Sequence, residues 1–364
     1  MYVSSMSLDH LRRHTVARSL FAPTTLPKAL QRLGFVQADP LRAPACAQDL
    51  TLRHRVAGYL VGDLQAHYPQ LDVEEDFFVN YGFVPRDVHH LMHPRTARSV
   101  WPAHRMQQAT EVLAFVRERG LVRPAEVDAH FDHGTVSNWF GGRSRASTQL
   151  LDGMHYRGLL RVARREGGQR LYAVREHQPT ALSPDAAVDA LVDVIVAKYA
   201  PLPAASLGQL VGLLLGGGVP QWRGQRQVIL QRARARLCSA VLDGLTWLWP
   251  DSENPASGRY AVDEQVRLLA PFDPVVWDRR RFELLWGWPY RFEAYTPVAK
   301  RVRGHYALPL LWRDQVIGWA NLSVKDDVLT PDVGFVASAP REKAFGVALD
   351  EELQRMTVFL GLRA

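Results

Sequence analysis

The chain has 364 residues, 47% of them apolar, and its 44 Lys and Arg outnumber its 37 Asp and Glu, giving a net charge of +7. This length suits two or three domains, and the absence of any eighteen-residue apolar run excludes a membrane span. With no signal-like start and only Cys46 and Cys238, which form neither a metal spacing nor a disulfide framework, a cytoplasmic protein is expected. The basic balance favours a polyanionic partner such as DNA.

The first sixty residues predict three helices, over residues 7–20, 26–33 and 47–64. Gly34 can end the second helix in a left-handed conformation, after which Phe35 to Pro40 favours an extended segment. Helix, helix, extended segment, helix is compatible with a helix-turn-helix variant. The basic side chains of this region are candidates for phosphate contact, although a solvated helix face explains them equally well. They are Arg42, Arg53 and Arg55.

The extended segment carries a candidate catalytic pair, Gln37 and Asp39. Alternate side chains of an extended segment share a face, so the amide and the carboxylate should project side by side. The carboxylate could take a proton from a water molecule or stabilise a positive charge, and the amide could orient the water. The competing interpretation is a polar strand edge, or a turn capped by Asp39 before Pro40.

A histidine cluster, His89, His90 and His93, follows a short apolar stretch. Adjacent histidines point in different directions, and no cysteine or nearby acidic pair completes a metal site. We therefore predict no metal here and interpret the cluster as a polar helix end.

Residues 101–178 predict the clearest unit, with helices over 101–119, 124–131 and 144–157 and strands over 159–164 and 169–174 joined by Gly167-Gly168. This is the element order of a winged helix, and a basic hairpin suits a groove or a phosphate backbone. The hairpin carries Arg161, Arg164, Arg165 and Arg170. Trp101, Trp139 and Tyr172 could stack on bases, although core packing is the ordinary role of Trp139 and Tyr172.

Residues 184–262 repeat this order loosely, with helices over 186–199, 206–215 and 225–240 and a hairpin formed by 245–249 and 259–262. The last hundred residues predict strands over 290–295, 305–311 and 315–322 and a closing helix over 350–360. The expected fold class is therefore α+β, with tandem winged-helix (helix-turn-helix) units followed by a C-terminal β-rich domain. The predicted domains are 1–100, 101–180, 181–263 and 264–364.

Several segments resemble the AlkZ/YcaQ family of winged-helix DNA glycosylases. The most specific are Leu269-Ala270-Pro271-Phe272-Asp273-Pro274-Val275-Val276-Trp277-Asp278-Arg279, Tyr290-Arg291-Phe292-Glu293-Ala294-Tyr295-Thr296-Pro297-Val298-Ala299-Lys300-Arg301 and His305-Tyr306-Ala307-Leu308-Pro309-Leu310. The family's catalytic signature, Gln, an apolar residue, then Gln or Asp, is matched by Gln37-Ala38-Asp39.

The resemblance implies a monofunctional glycosylase that releases purines alkylated at N7, including crosslinked purines, from double-stranded DNA. Asp39 would stabilise an oxocarbenium-like sugar and take a proton from the attacking water, while Gln37 would hold the water or the sugar. Neither a metal, another cofactor nor a Schiff-base lysine is implied. A monomer associated with the nucleoid is the expected state.

One segment departs from the family pattern. Many members carry an aromatic-x-His-x-Ala segment, and the matching residues here are Tyr81-Gly82-Phe83-Val84-Pro85, with Phe83 in place of the histidine. This difference is expected of a distinct subfamily. Two alternatives to the enzyme remain, a non-catalytic winged-helix DNA-binding protein and a protein that only binds a protein partner. Loss of base release on substitution of Asp39 would distinguish the enzyme from a non-catalytic DNA-binding protein. Salt-sensitive DNA binding would distinguish either of these from a protein that binds only a protein partner.

Overall fold

The computed structural model describes residues 6–97, 99–137, 142–176 and 180–363. Helices and strands alternate through the chain, which confirms the α+β class. Two compact units are formed, the first from Met1–Leu64, Val192–Leu210 and Leu230–Ala364, the second from Gln65–Leu191 and Val211–Ile229. No helix of the described residues combines the length and the apolar character that crossing a bilayer requires.

Unit 1 begins with helices and contains, before its last helix, a four-stranded antiparallel sheet in the order β11 (Val266–Leu268), β12 (Leu308–Trp312), β13 (Gln315–Lys325) and β14 (Val328–Phe335). Its helices are α1 (Leu8–Ser19), α2 (Leu26–Leu33), α3 (Ala47–Leu52), α12 (Arg279–Trp286) and α13 (Lys343–Phe359). Its strands are β1 (Val36–Gln37), β8 (Leu202–Pro203), β9 (Leu237–Leu242), β10 (Leu245–Pro250), β11 (Val266–Leu268), β12 (Leu308–Trp312), β13 (Gln315–Lys325) and β14 (Val328–Phe335).

Where the structure describes it, unit 2 contains three antiparallel strand pairs and four helices of its own. The helices are α5 (Arg86–His90), α6 (Ala103–Arg119), α7 (Pro124–Phe131) and α8 (Ala146–Tyr156). The paired strands are β2 (Val73–Phe77) with β3 (Tyr81–Pro85), β4 (Thr135–Ser137) with β5 (Arg143–Arg145), and β6 (Leu160–Glu166) with β7 (Gln169–Val174). Four helices carry residues of both units, namely α4 (Asp63–His67), α9 (Pro184–Tyr199), α10 (Ala204–Gly217) and α11 (Arg226–Ala235).

The basic hairpin forms as the sequence predicts. Strands β6 and β7 pair from Leu160↔Val174 to Glu166↔Gln169, and the loop between them is Gly167-Gly168. Both glycines have positive φ, 55° and 82°, the conformation that a two-residue hairpin turn requires. The helices of this region, α6, α7 and α8, also lie where they are predicted.

Several predicted elements are wrong. The helix expected over 225–240 ends at Ala235, and strand β9 begins at Leu237. The helix expected over 47–64 ends at Leu52, and an irregular segment follows in which Gly58 and Gly62 take positive φ. Strand β10 pairs with β9 rather than with 259–262, because Asp243-Gly244 forms a tight turn with φ of 50° and 73°. Residues 290–295 are not a strand, and the sheet instead gains β14 beyond the turn at Asp326-Asp327.

The sheet of unit 1 is tied to the helical part of that unit by a buried carboxylate. Glu352 of α13 accepts the N–H of Leu268 in the edge strand β11 at 2.8 Å and pairs with Arg53 after α3. This contact satisfies a backbone donor of the edge strand, and it brings the loop after β11 to the helices around β1.

Candidate active site

Contacts of a glycine and a lysine fix the backbone just before the short strand β1. Gly34 ends α2 with φ of 63°, and a Cβ there would lie 2.6 Å from Cγ1 of Val194, so only glycine fits. The buried ammonium of Lys198 donates to the carbonyl of Phe35, the residue before β1. Burial, helped by the charge of Arg55, lowers the pKa of Lys198 to about 7. The backbone leading to Gln37 is therefore fixed on two sides.

Gln37 is largely buried, with 6% of its surface exposed. The indole Nε1 of Trp277 donates to Oε1 of Gln37 at 2.7 Å. The Trp277 ring in turn packs against Tyr199, with the ring centroids 5.3 Å apart. The amide is thus held in one orientation at the end of β1.

Asp39 follows in an irregular, half-buried segment. Its backbone N–H donates to Oε1 of Gln48 at 3.2 Å, and its Oδ1 accepts the N–H of Leu41 at 2.9 Å. The second bond is the local turn contact that the competing interpretation of the sequence expected. Burial raises the pKa of the Asp39 carboxyl, although the Leu41 N–H opposes the shift.

A phenol lies within electrostatic reach of Asp39. Tyr306 is 3% exposed, and its hydroxyl has no hydrogen-bond partner among the described residues. Burial raises the pKa of Tyr306, and the negative charge of Asp39 raises it further. A buried hydroxyl without a partner is costly, which makes Tyr306 a candidate hydrogen-bond donor for a group that reaches it.

This arrangement can activate water without a metal. Because burial raises the pKa of the Asp39 carboxyl, its carboxylate is a stronger base than an exposed one. The same negative charge can stabilise a cation that forms next to it. The described residues thus join a base and a fixed amide on one short segment.

The three arginines predicted near this site differ in placement. Arg42 is exposed and contacts Cys46. Arg55 is fully buried, with Nη1 and Nη2 at 2.7 and 3.0 Å from the carboxylate of Asp273. Arg53 pairs with Glu352 and donates to the carbonyl of Leu268 at 3.0 Å. Arg53 and Arg55 therefore act inside unit 1, since their guanidinium groups are enclosed.

The hairpin arginines of unit 2 are all present on β6 and β7, and each has an acidic partner. Arg161 contacts both oxygens of Glu74 at 3.0 Å, and Arg165 binds Glu75 at 2.8 and 2.6 Å. Arg170 lies 2.9 Å from Asp152. Arg164 pairs with Glu166 but leaves 48% of its side chain exposed. The hairpin is consequently less positive than its sequence suggests.

The aromatic candidates of the sequence also separate. Tyr172 is 2% exposed and donates to Asp152 at 2.9 Å, so it is a core residue. Trp101 is half-buried beside the guanidinium of Arg157, 3.4 Å from the ring centroid. Trp139 lies outside the described residues. Phe83, at the position of the family histidine, is a core residue packed against Tyr68 with the ring centroids 5.8 Å apart.

The histidine cluster does gain an acidic partner, which the sequence did not reveal. Nε2 of His89 and of His93 lie 2.8 and 3.2 Å from Oδ2 of Asp76 on β2, and all three side chains are buried. These donors are of the type that could hold a metal ion. Arg95 binds the other oxygen of Asp76 at 2.8 Å, so a guanidinium already pairs with this carboxylate.

The structure adds candidate site residues that the sequence analysis did not single out, above all Trp277 and Tyr306. Both lie within segments quoted for the family resemblance, so the signal was their presence there. Nothing in their local pattern indicates that they approach Gln37 and Asp39 from more than two hundred residues away. Only the folded chain brings them together.

Comparison with known proteins agrees with the resemblance. The family model described as "DNA glycosylase AlkZ-like" matches residues 30–359. Among solved structures, the Streptomyces sahachiroi DNA glycosylase AlkZ has a similar fold, with a TM-score of 0.64 at 15% sequence identity over 98% of each chain. Because the family model covers nearly the whole sequence, the chain belongs to the AlkZ-like DNA glycosylase family and is an enzyme that acts on alkylated DNA.

Proposed function

We propose that Gln37 and Asp39 hydrolyse the N-glycosidic bond of N7-alkylated purines in double-stranded DNA. The observation that carries this proposal is the half-buried carboxylate of Asp39, whose pKa is raised by burial, two residues from an amide that is itself fixed. A carboxylate in that setting can both accept a proton and stabilise a positively charged sugar.

The reaction needs no acid to protonate the leaving group. An N7-alkylated purine is already a cation, so the electron pair of the C1′–N9 bond leaves with the base and neutralises it. Water adds its oxygen to C1′ of the oxocarbenium-like sugar, and the proton it releases passes to Asp39. The products are a neutral free base, an abasic deoxyribose and a protonated carboxyl group.

The substrate range could extend to interstrand crosslinks through N7, because the leaving base in such a lesion is also a cationic purine. For DNA contact we propose the exposed Arg42 and the hairpin arginines, of which Arg164 is the most exposed. We also retain as proposals the winged-helix nature of the helical units, the four-domain division, a monomeric state and action at the cytoplasmic nucleoid.

The test is base release from a duplex that contains a single N7-methylguanine. The parent protein and the Asp39→Asn variant are compared under single turnover, and hot alkali reveals abasic sites. Asp251→Asn, at an exposed position of the same unit, is the matched control. We expect release by the parent and the control, and a loss of roughly 100-fold or more for Asp39→Asn, as general-base removal usually gives.

Equal release by Asp39→Asn and the parent would remove Asp39 from the chemistry. No release by any of the three, with salt-sensitive DNA binding retained, would exclude N7-methylguanine as the substrate. A duplex with an N7-linked interstrand crosslink is the second substrate, and release from it alone would restrict the proposal to crosslinks.

A further inference from the structure

We infer that Trp277 is a positioning residue that makes Gln37 a hydrogen-bond donor to the attacking water. This inference rests on the proposed function of the Gln37–Asp39 pair. It assigns separate tasks to the two side chains, since Gln37 only donates and Asp39 alone receives the proton.

The orientation of the Gln37 amide follows from the chemistry of its partner. An indole N–H is only ever a donor, so the atom it meets 2.7 Å away must be the amide oxygen rather than the amide nitrogen. This argument is independent of how the two ends of a glutamine side chain are distinguished. The Nε2 atom of Gln37 has no hydrogen-bond partner among the described residues, and it is not one of the unpartnered atoms that lack solvent access. The end that faces a ligand is therefore the NH₂ group.

Trp277 is held firmly enough to impose this orientation. Its backbone N–H donates to the carbonyl of Asp273 at 2.8 Å, and its ring packs on the fully buried Tyr199. The side chain of Asp273 is in turn fixed by the buried Arg55. The indole N–H thus projects from a rigid loop within unit 1.

The donor polarity fits the needs of a water molecule that attacks C1′. One lone pair of the water accepts from Nε2 of Gln37, and one O–H donates to the carboxylate of Asp39. The second lone pair remains free to form the bond to C1′. If the amide were reversed, its oxygen would compete with Asp39 for the water's proton.

The test uses two substitutions with opposite chemistry. Trp277→Phe removes the N–H that holds the amide, and Gln37→Glu keeps an acceptor for Trp277 but removes the donor. Trp286→Phe is the matched control, because Trp286 is a buried tryptophan of unit 1 whose Nε1 donates to the carbonyl of Asp314 at 2.9 Å rather than to Gln37. Single-turnover release, half-saturating protein concentration and melting temperature are measured for each variant.

We expect Trp277→Phe to slow release by roughly three- to tenfold, the worth of one hydrogen bond, at an unchanged half-saturating concentration. Gln37→Glu should lose more than tenfold, and Trp286→Phe should stay within about twofold of the parent. In a Gln37→Met background, Trp277→Phe should cause no further loss, since it acts through Gln37.

A further loss of release when Trp277→Phe is added to Gln37→Met would overturn the inference. Parent-like release by Gln37→Glu would overturn it too, even if Trp277→Phe folds poorly. The proposed function fails separately, when Asp39→Asn keeps the parent rate. If Asp39→Asn is inactive and both Gln37→Glu and Trp277→Phe are parent-like, the function stands and the inference falls.

A different observation supports a second proposal. Residues 294–302, called the exposed loop, carry large apolar side chains in solvent: Tyr295 is 80% exposed, Val298 75% and Val302 74%. Such a patch on an otherwise ordered surface usually marks a binding site. Lys300 and Arg301 lie between these side chains, so the patch is both apolar and cationic.

The exposed loop is ordered from within. The carboxylate of Glu293 accepts the backbone N–H groups of Val302, Arg303 and Gly304 at 3.0, 2.8 and 3.3 Å. Arg301 donates to the carbonyl of Thr296 at 2.8 Å. A loop closed in this way presents its side chains without the ordering cost of a flexible segment.

A row of aromatic rings joins the loop to the neighbourhood of Asp39. Tyr295 contacts Phe292, and Phe292 contacts Tyr306, with centroid distances of 6.0 and 5.2 Å. The negative charge of Asp39 contributes to the raised pKa of Tyr306. We propose that Tyr295 of the exposed loop stacks on a DNA base next to the lesion, with Lys300 and Arg301 at the adjacent phosphates. Wedges of this composition are a common means of opening a base step.

Binding is measured in the Asp39→Asn background, so that the duplex with N7-methylguanine is not consumed and the result is independent of catalysis. Tyr295→Ala should weaken binding by roughly fivefold or more, the usual effect of losing one stacked base. Tyr295→Phe, which keeps the ring, should bind as the parent does. Val241→Ala, at a 71% exposed position of unit 1, is the control.

Parent-like binding by Tyr295→Ala would overturn the stacking proposal. So would an equal loss with Tyr295→Phe and Tyr295→Ala, because the hydroxyl rather than the ring would then make the contact.

Discussion

At the scale of single residues, Asp39 has a stability cost beside its proposed chemical role. Its pKa is raised by burial, so the ionised form is less favourable in the folded chain than in the unfolded chain. That penalty is complete above the folded pKa and vanishes below the unfolded pKa. We expect Asp39→Asn to be more stable than the parent near neutral pH in urea unfolding, and to lose this advantage by about pH 3.

Asp251→Asn is the control for this comparison, because Asp251 is exposed. It should match the parent at both pH values. A less stable Asp39→Asn at neutral pH would mean that the carboxylate makes a structural contact that an amide cannot replace.

Removing a charge from the buried pair of Arg55 and Asp273 should lower the stability of the protein, whereas removing the charge of Asp39 should raise it. Both side chains are fully buried, and Arg55 also donates to the carbonyls of Ser19 and Thr51 at 2.8 and 2.6 Å. Removing one partner leaves an uncompensated charge, so Arg55→Met should lower the free energy of unfolding by about 3–5 kcal/mol. Arg13→Met, which breaks an ion pair with Asp314 at a half-exposed position, should change it by less than about 1 kcal/mol.

A small effect of Arg55→Met on unfolding, together with weaker DNA binding, would support the phosphate contact that the sequence suggested for Arg55.

At the scale of elements, the arginines of the β6–β7 hairpin should differ in their effects on DNA affinity and on the free energy of unfolding. Arg164 is the most exposed of the hairpin arginines, and its partner Glu166 keeps a second ion pair with Arg123. Arg164→Ala should therefore weaken DNA binding and reduce the salt slope by up to about one, with little change in stability. The measurement is the dissociation constant at several salt concentrations.

Arg161→Ala provides the contrast. Arg161 binds both oxygens of Glu74, whose side chain is 7% exposed. Its loss should lower the free energy of unfolding by about 1–3 kcal/mol. If Arg161→Ala and Arg164→Ala had the same effect on DNA binding, the acidic partners would not decide which arginines reach phosphate.

Elements with strong local signals could be predicted, and those decided by distant partners could not. Gly167-Gly168 specifies its hairpin, and Gly34 marks the end of α2. Asp243-Gly244 carries an equally strong turn signal, but the helical pattern of the preceding residues hid it. The segment 290–295 has strand-forming residues but forms no strand, and its Glu293 side chain binds the backbone N–H groups of residues 302–304.

The same division holds within the site. Gln37 and Asp39 could be proposed as a pair because they lie two residues apart on one short segment. Trp277 could not, because a tryptophan beside apolar residues predicts core packing and its N–H shows no preference in the sequence. Arg55 was assigned to DNA because its charge was visible, whereas its partner Asp273 lies 218 residues away.

At the scale of the whole molecule, the net charge of +7 should make DNA binding sensitive to salt. For about four phosphate contacts, affinity should fall on the order of a hundredfold between 50 and 200 mM salt. Stability should change little over the same range, because enclosed pairs such as Arg55–Asp273 are poorly screened. Fluorescence anisotropy and urea unfolding at matched salt concentrations check both statements, and salt-independent binding would contradict a phosphate-dominated interface.

The carboxylate of Glu293 occupies what would otherwise be an anion-binding site. Three successive backbone N–H groups converge on one oxygen of its carboxylate, which is the arrangement by which proteins bind free anions. The fold thus satisfies an anion site with its own side chain. In Glu293→Ala that site would be empty, and a small carboxylate such as formate or acetate could occupy it. The order of the exposed loop would then depend on the buffer, as in chemical rescue.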